Sequence, residues 1–140
     1  MGLYLCVFAG DDDDEELDGV EVGGYDDFGE FRDLITRLLE NGIWASRFPV
    51  LMNHPDSAGE WGPAQASQLQ RELTVIRTEL AAMAAPAYPD GWQAKVARQL
   101  GHQPGNYSAY FIDIDGEPLL NRLMDLAGLS VQTGRPITFM

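Results

Sequence analysis

An α+β (mixed α/β) domain, with about five strands in one sheet and about four helices packed on it, is the fold class this sequence predicts. Three observations predict it. Apolar, β-forming runs stand near both ends of the chain, at residues 3–8 and 137–140. Apolar stripes at helical spacing recur between them. The chain is 140 residues long, enough for one core that buries roughly 70% of the unfolded surface.

The elements follow in order. Residues 3–8 form an unbroken apolar run with Tyr, Val and Phe, closed by Gly10, and read as a buried strand. Residues 19–23 alternate Val with Gly and Glu and read as the return arm of a hairpin. Asp26 or Asp27 then caps a helix, with Glu30 completing a start like a capping box. Phe28, Phe31, Leu34, Ile35, Leu38 and Leu39 share its apolar face, and Asn41-Gly42 stops it. Residues 47–53 read as another strand, with Pro49 at its beginning or on an edge because proline cannot donate to a ladder.

Residues 54–62 read as a polar loop, and Pro63 opens the next helix. Ala66, Leu69, Leu73, Ile76, Leu80 and Met83 form its stripe. The pattern is too short for a coiled coil, so a helix lying on a sheet is predicted. Pro86 and Pro89 break it; Asp90 caps a short helix with Trp92, Val96 and Leu100 on one side. Residues 107–114 read as a strand. Asp115 then caps a last helix whose inner face is Leu119, Leu120, Leu123, Leu126, Ala127 and Val131, ended by Gly134. The order is β-β-α-β-α-α-β-α-β. No repeat or linker divides it, so one domain is expected over residues 1–140. The first and last strands are both apolar and are expected inside the sheet.

Charge is uneven. The chain carries 22 acids against 9 bases, a net of −13. Eleven acids precede the first base, Arg32, and the remaining 110 residues are nearly neutral. Binding to nucleic acid or to an anionic membrane depends on Lys and Arg, so neither is expected as a direct partner. No run of apolar residues is long enough for a membrane span, and the apolar start lacks the basic flank of a signal peptide. The single cysteine, Cys6, sits among apolar neighbours and reads as buried and inert. A cytoplasmic protein is expected.

Asp11, Asp12, Asp13, Asp14, Glu15, Glu16 and Asp18 form the densest acidic stretch, a loop at 11–18. Two readings stand: a solvated loop, or a docking surface that steers a basic protein. Consecutive carboxylates do not supply the alternating ligands of a calcium loop, and Asp113-x-Asp115-Gly116 lacks the distal Glu that pattern needs. No metal or cofactor is expected. His54, Asp56, Glu60 and Trp61 share one loop. They read as ordinary loop residues, as a contact patch with Trp61 as its anchor, or as a small acid–base site. If Trp61 is buried, it only staples the loop to the helix.

Four stretches carry a family resemblance. They are Met1-Gly2-Leu3-Tyr4 with Val7-Phe8; Glu16 to Gly23 with Tyr25-Asp26-Asp27-Phe28; Ser46-Arg47-Phe48-Pro49 with His54 and Glu60-Trp61; and Phe111 to Leu119 with Gly134-Arg135-Pro136-Ile137. Together they resemble the immunity protein 70 family, bacterial proteins encoded beside polymorphic toxins. The resemblance implies a cytosolic protein that binds and blocks a cognate toxin, often a nuclease, and it brings no catalytic residues. Residues 11–14 are longer than the family's usual acidic turn. Two alternatives remain: a small hydrolase-like enzyme using His54, Asp56 and Glu60, and a regulatory protein-interaction domain.

Overall fold

A computed structural model describes residues 2–10 and 15–140. Strands β1 (Gly2–Phe8) and β2 (Glu16–Gly24) form an antiparallel hairpin, and β1 also pairs antiparallel with the C-terminal strand β4 (Ile137–Phe139). The short β3 (Glu60–Trp61) closes the sheet in the order β2-β1-β4-β3. Both apolar terminal strands therefore lie inside the sheet, as their composition predicts. Leu3, Leu5 and Val7 of β1 join Val20 and Val22 of β2, Trp61, Ile137 and Phe139 on the inner face. Helices α1 (Tyr25–Leu39), α3 (Pro63–Leu80) and α5 (Leu119–Thr133) bury their stripes in the same core.

The third strand is misplaced in the sequence reading. Residues 47–53 contain helix α2 (Pro49–Asn53), and the strand lies in the expected loop, at Glu60–Trp61. Pro49 takes the first helical position, where its missing N–H costs nothing. Two buried charges from other helices hold the ends. The Glu72 carboxylate accepts from the Val50 and Leu51 N–H groups at 3.2 and 3.0 Å. Arg32 donates through one nitrogen to the carbonyls of Leu51, Met52 and His54, the last at 2.7 Å. An anion at the helix start and a cation at its end suit the orphan groups and the dipole of so short a helix.

Residues 107–114 are not a strand. They form a 3₁₀ turn, Tyr107–Ala109, and a single bridge between Ile112 and Pro118. Only Ile114 reaches the edge of β2, donating to the Glu21 carbonyl at 3.1 Å. The tyrosines pack with aromatic rings instead of alternating across a sheet: Tyr110 stacks on Tyr88 at 4.7 Å and meets Phe111 edge-on at 5.2 Å. The sheet thus has four strands, not five, and five α-helices accompany it among the described residues.

Helix ends also depart from expectation. Gly24 caps α1, and Asp27 contributes by accepting from the Gly24 N–H at 2.6 Å. Asp27 also receives bonds from Trp92 and Gln93, tying α4 (Trp92–Leu100) to the start of α1. Gly91, not Asp90, precedes α4, and Ala97 is its buried residue while Leu100 is exposed. Pro118, not Asp115, precedes α5. Asp113 organises that turn, accepting from the Asp115 and Glu117 N–H groups at 3.0 and 2.9 Å. Burial pushes its carboxyl above the usual range, against the pull of those two bonds and of Arg122. On α5, Ser130 is buried, and Val131 faces solvent.

Tyr88 donates to the Tyr110 carbonyl at 2.6 Å, and burial above all pushes its phenol up to about 12. The fold favours neutral Tyr88, while an unfolded chain ionises it near 10. Its contribution to stability is therefore complete below pH 10 and lost between pH 10 and about 12. A tyrosinate absorbance titration should show a late step that Tyr88→Phe diminishes. Stability measured across that window should fall less steeply in the variant. Loss of absorbance from the ordinary step near pH 10, with the late step intact, would show Tyr88 to be solvated.

Candidate partner interface

The structure places the described acidic residues of the N-terminal stretch in different settings. Asp11, Asp12, Asp13 and Asp14 lie outside the described residues. Glu15 is exposed where the hairpin closes, its carbonyl accepting from the Ala9 N–H at 2.8 Å. Glu16 and Asp18 belong to β2, which corrects the expected loop over 11–18. Asp18 turns toward the helices. Its carboxylate pairs with Arg122 of α5 at 3.1 Å, and Arg122 also donates to the Gly19 carbonyl. This charge is partly spent on holding β2 to α5.

Strand alternation puts Tyr4, Cys6, Phe8, Glu16, Gly19 and Glu21 on the outer face of the hairpin, opposite the core. Thr138 and Glu60 continue the row, because Thr138 pairs with Cys6 on one side and with Glu60 on the other. Glu16, Glu21 and Glu60 are all exposed. None of the four strands contains a Lys or Arg. Tyr4 lies across Gly19, so closely that a Cβ there would meet its ring. Its phenol is pushed well above the ordinary range, first by burial, then by its bond to Glu16, and further by the charge of Glu21. The result is an acidic strip with an aromatic centre.

Glu21 escaped the sequence reading. The alternation Val20-Glu21-Val22 carries the signal, because it sets Glu21 opposite two core valines.

The second group of candidates separates. Trp61 is 1% exposed and belongs to the core, so its side chain is no surface anchor. It meets Phe139 edge-on at 4.7 Å and donates to the Val50 carbonyl at 3.2 Å. His54 stacks on Phe139 at 4.0 Å, and its two ring nitrogens face the Pro55 and Glu60 carbonyls at 2.6 and 3.0 Å. Neither nitrogen is directed at the carboxylate of Asp56 or Glu60. Asp56 is close enough to Arg32 to favour its charge. Among the described residues, no three His, Cys, Asp or Glu side chains are placed to hold a metal ion. No helix among them is long and apolar enough to cross a membrane.

The family model described as Immunity protein 70 matches residues 3–139. The chain belongs to the immunity protein 70 family. Membership points to an immunity protein directed against a toxin. The match reaches every strand and helix of this immunity protein 70 member, leaving out only Gly2 of β1. No curated protein and no solved structure matches it.

Proposed function

We propose that this protein binds its cognate toxin and neutralises it as a stoichiometric inhibitor, without turnover of its own. The family match over residues 3–139 carries the reading. The outer sheet face supports it: Glu16, Glu21 and Glu60 form an exposed acidic strip on strands that contain no cation. Such a strip favours a basic partner, and a nuclease fits because it needs cations to hold phosphates. Residues 11–14 add four carboxylates in the chain between β1 and β2. Their part is to raise the rate of encounter, together with the strip. The protein acts in the cytoplasm as a single domain, where the toxin would do its damage.

Binding kinetics against the toxin encoded beside its gene test this. Glu16→Gln, Glu21→Gln and Glu60→Gln together should slow association about tenfold at low salt, and the difference should vanish at high salt. The fold should be unaffected, since Gln at position 16 still accepts from Tyr4. Equal association rates at low salt would remove the strip from the interface. Failure of the unaltered protein to bind that toxin would overturn the immunity reading.

A further inference from the structure

The loop between α1 and α2 holds two large apolar side chains in solvent, Ile43 at 64% exposure and Trp44 at 42%. It is constructed from within. Glu40, at the end of α1, is 1% exposed, and its carboxylate gathers the loop around itself. One oxygen accepts from the Thr36 hydroxyl at 2.9 Å and the Ala45 N–H at 3.3 Å. The other accepts from the Arg47 and Phe48 N–H groups at 2.9 and 3.0 Å. Asn41 and Ala45 adopt left-handed backbone angles, with φ of 53° and 64°. For Ala45 that conformation costs about 1 kcal/mol or more and persists only where the surroundings enforce it. Arg47 braces the far side, bonding to the Leu39 carbonyl and to Glu79.

A buried carboxylate and a strained backbone thus keep Ile43 and Trp44 outside, where burial would otherwise favour them. Trp44 rests over the guanidinium of Arg32 at 5.4 Å. Arg32 is buried, and its Nε has no hydrogen-bond partner among the described residues. Asp33 and Asp56 stand around Arg32, near enough to act on its charge. An apolar centre containing Trp, with a charged rim, is the usual anatomy of a protein interface. The chain's net charge of −13 selects a basic partner.

We propose that Ile43 and Trp44 are the apolar anchor by which this protein holds a basic-faced protein toxin, with Asp33 and Asp56 as the rim. The proposal rests on the immunity reading and adds which residues set the lifetime of the complex. The acidic strip governs encounter, and the Ile43–Trp44 loop governs release.

The test is dissociation of the full-length protein from the immobilised toxin domain encoded beside its gene. Ile43→Ser and Trp44→Ala should each speed dissociation about tenfold or more, with association changed less than about twofold. Trp44→Phe, which retains an apolar ring, should recover much of the slow release. Val131→Ser, on the exposed side of α5, should change neither rate. Ile43→Ser removes mostly exposed atoms, and melting curves followed by circular dichroism should stay close to the parent's. Dissociation of Ile43→Ser and Trp44→Ala at the parent's rate would overturn the anchor while leaving the immunity reading intact. If the unaltered protein does not bind that domain, the immunity reading falls and the anchor falls with it.

Discussion

Trp61→Ala should lower stability by about 3–5 kcal/mol, a fall in the thermal midpoint of roughly 10–17 °C. Trp61 is among the largest fully buried side chains, and it sits where the sheet narrows to a two-residue edge strand. Its ring packs on Phe139 and lies 5.2 Å from His54, while its indole N–H satisfies the Val50 carbonyl of α2. Truncation removes the aromatic contact and that hydrogen bond, and it leaves a cavity between β4 and α2. Trp61→Phe should lose less, because it keeps most of the volume and forfeits the hydrogen bond. Calorimetric melts of the three proteins check this. A loss below about 1 kcal/mol for the alanine variant would show that the site collapses around the missing ring.

Glu40→Ala should cost about 3 kcal/mol or more, because each orphaned buried donor costs about 1–3 kcal/mol. Four donors converge on that carboxylate, and the Phe48 N–H and the Thr36 hydroxyl are buried with it. The Thr36 hydroxyl retains a weak alternative in the Met52 sulfur at 3.8 Å, whereas the N–H groups of Arg47 and Phe48 have no other acceptor among the described residues. Glu40→Gln should be intermediate, since one acceptor oxygen survives and an NH₂ group then faces a backbone donor. The distinguishing readout is amide hydrogen exchange. Ala45, Arg47 and Phe48 should exchange much faster in both variants, while amides of β1 should follow only the global loss of stability. Unchanged exchange at Arg47 and Phe48 would show that the loop holds its shape without Glu40.

The acidic candidates show how far reading residues in order reaches toward a site. The concentration of charge before Arg32 is a property of composition and needs no structure. Its division into an outward strip and an inward pair does need one. Glu16 and Asp18 are two residues apart, so a regular strand would place them on one face. A bulge between their partners, Phe8 and Val7, sends them to opposite faces, Glu16 to Tyr4 and Asp18 to Arg122. Glu60 comes beside Thr138 across the sheet, 78 positions away in the chain. No local pattern encodes such a pairing.

The sequence by itself determined the elements whose burial repeats with a local period. The stripes of α1, α3 and α5 are core almost to the residue, and the apolar-rich runs at either end are the two inner strands. A helix needs one apolar face and an inner strand needs few polar residues, none of them charged, so neighbours in the chain suffice to reveal both. Tertiary structure alone decided the rest. Residues 49–53 become a helix because Glu72 and Arg32 arrive from α3 and α1 to satisfy both ends. Trp61 is buried and Trp44 exposed, although both stand within eight residues of the end of a helix. Phe139 offers Trp61 a surface against which to leave water, while the carboxylate of Glu40 holds the chain of Trp44 away from any such surface.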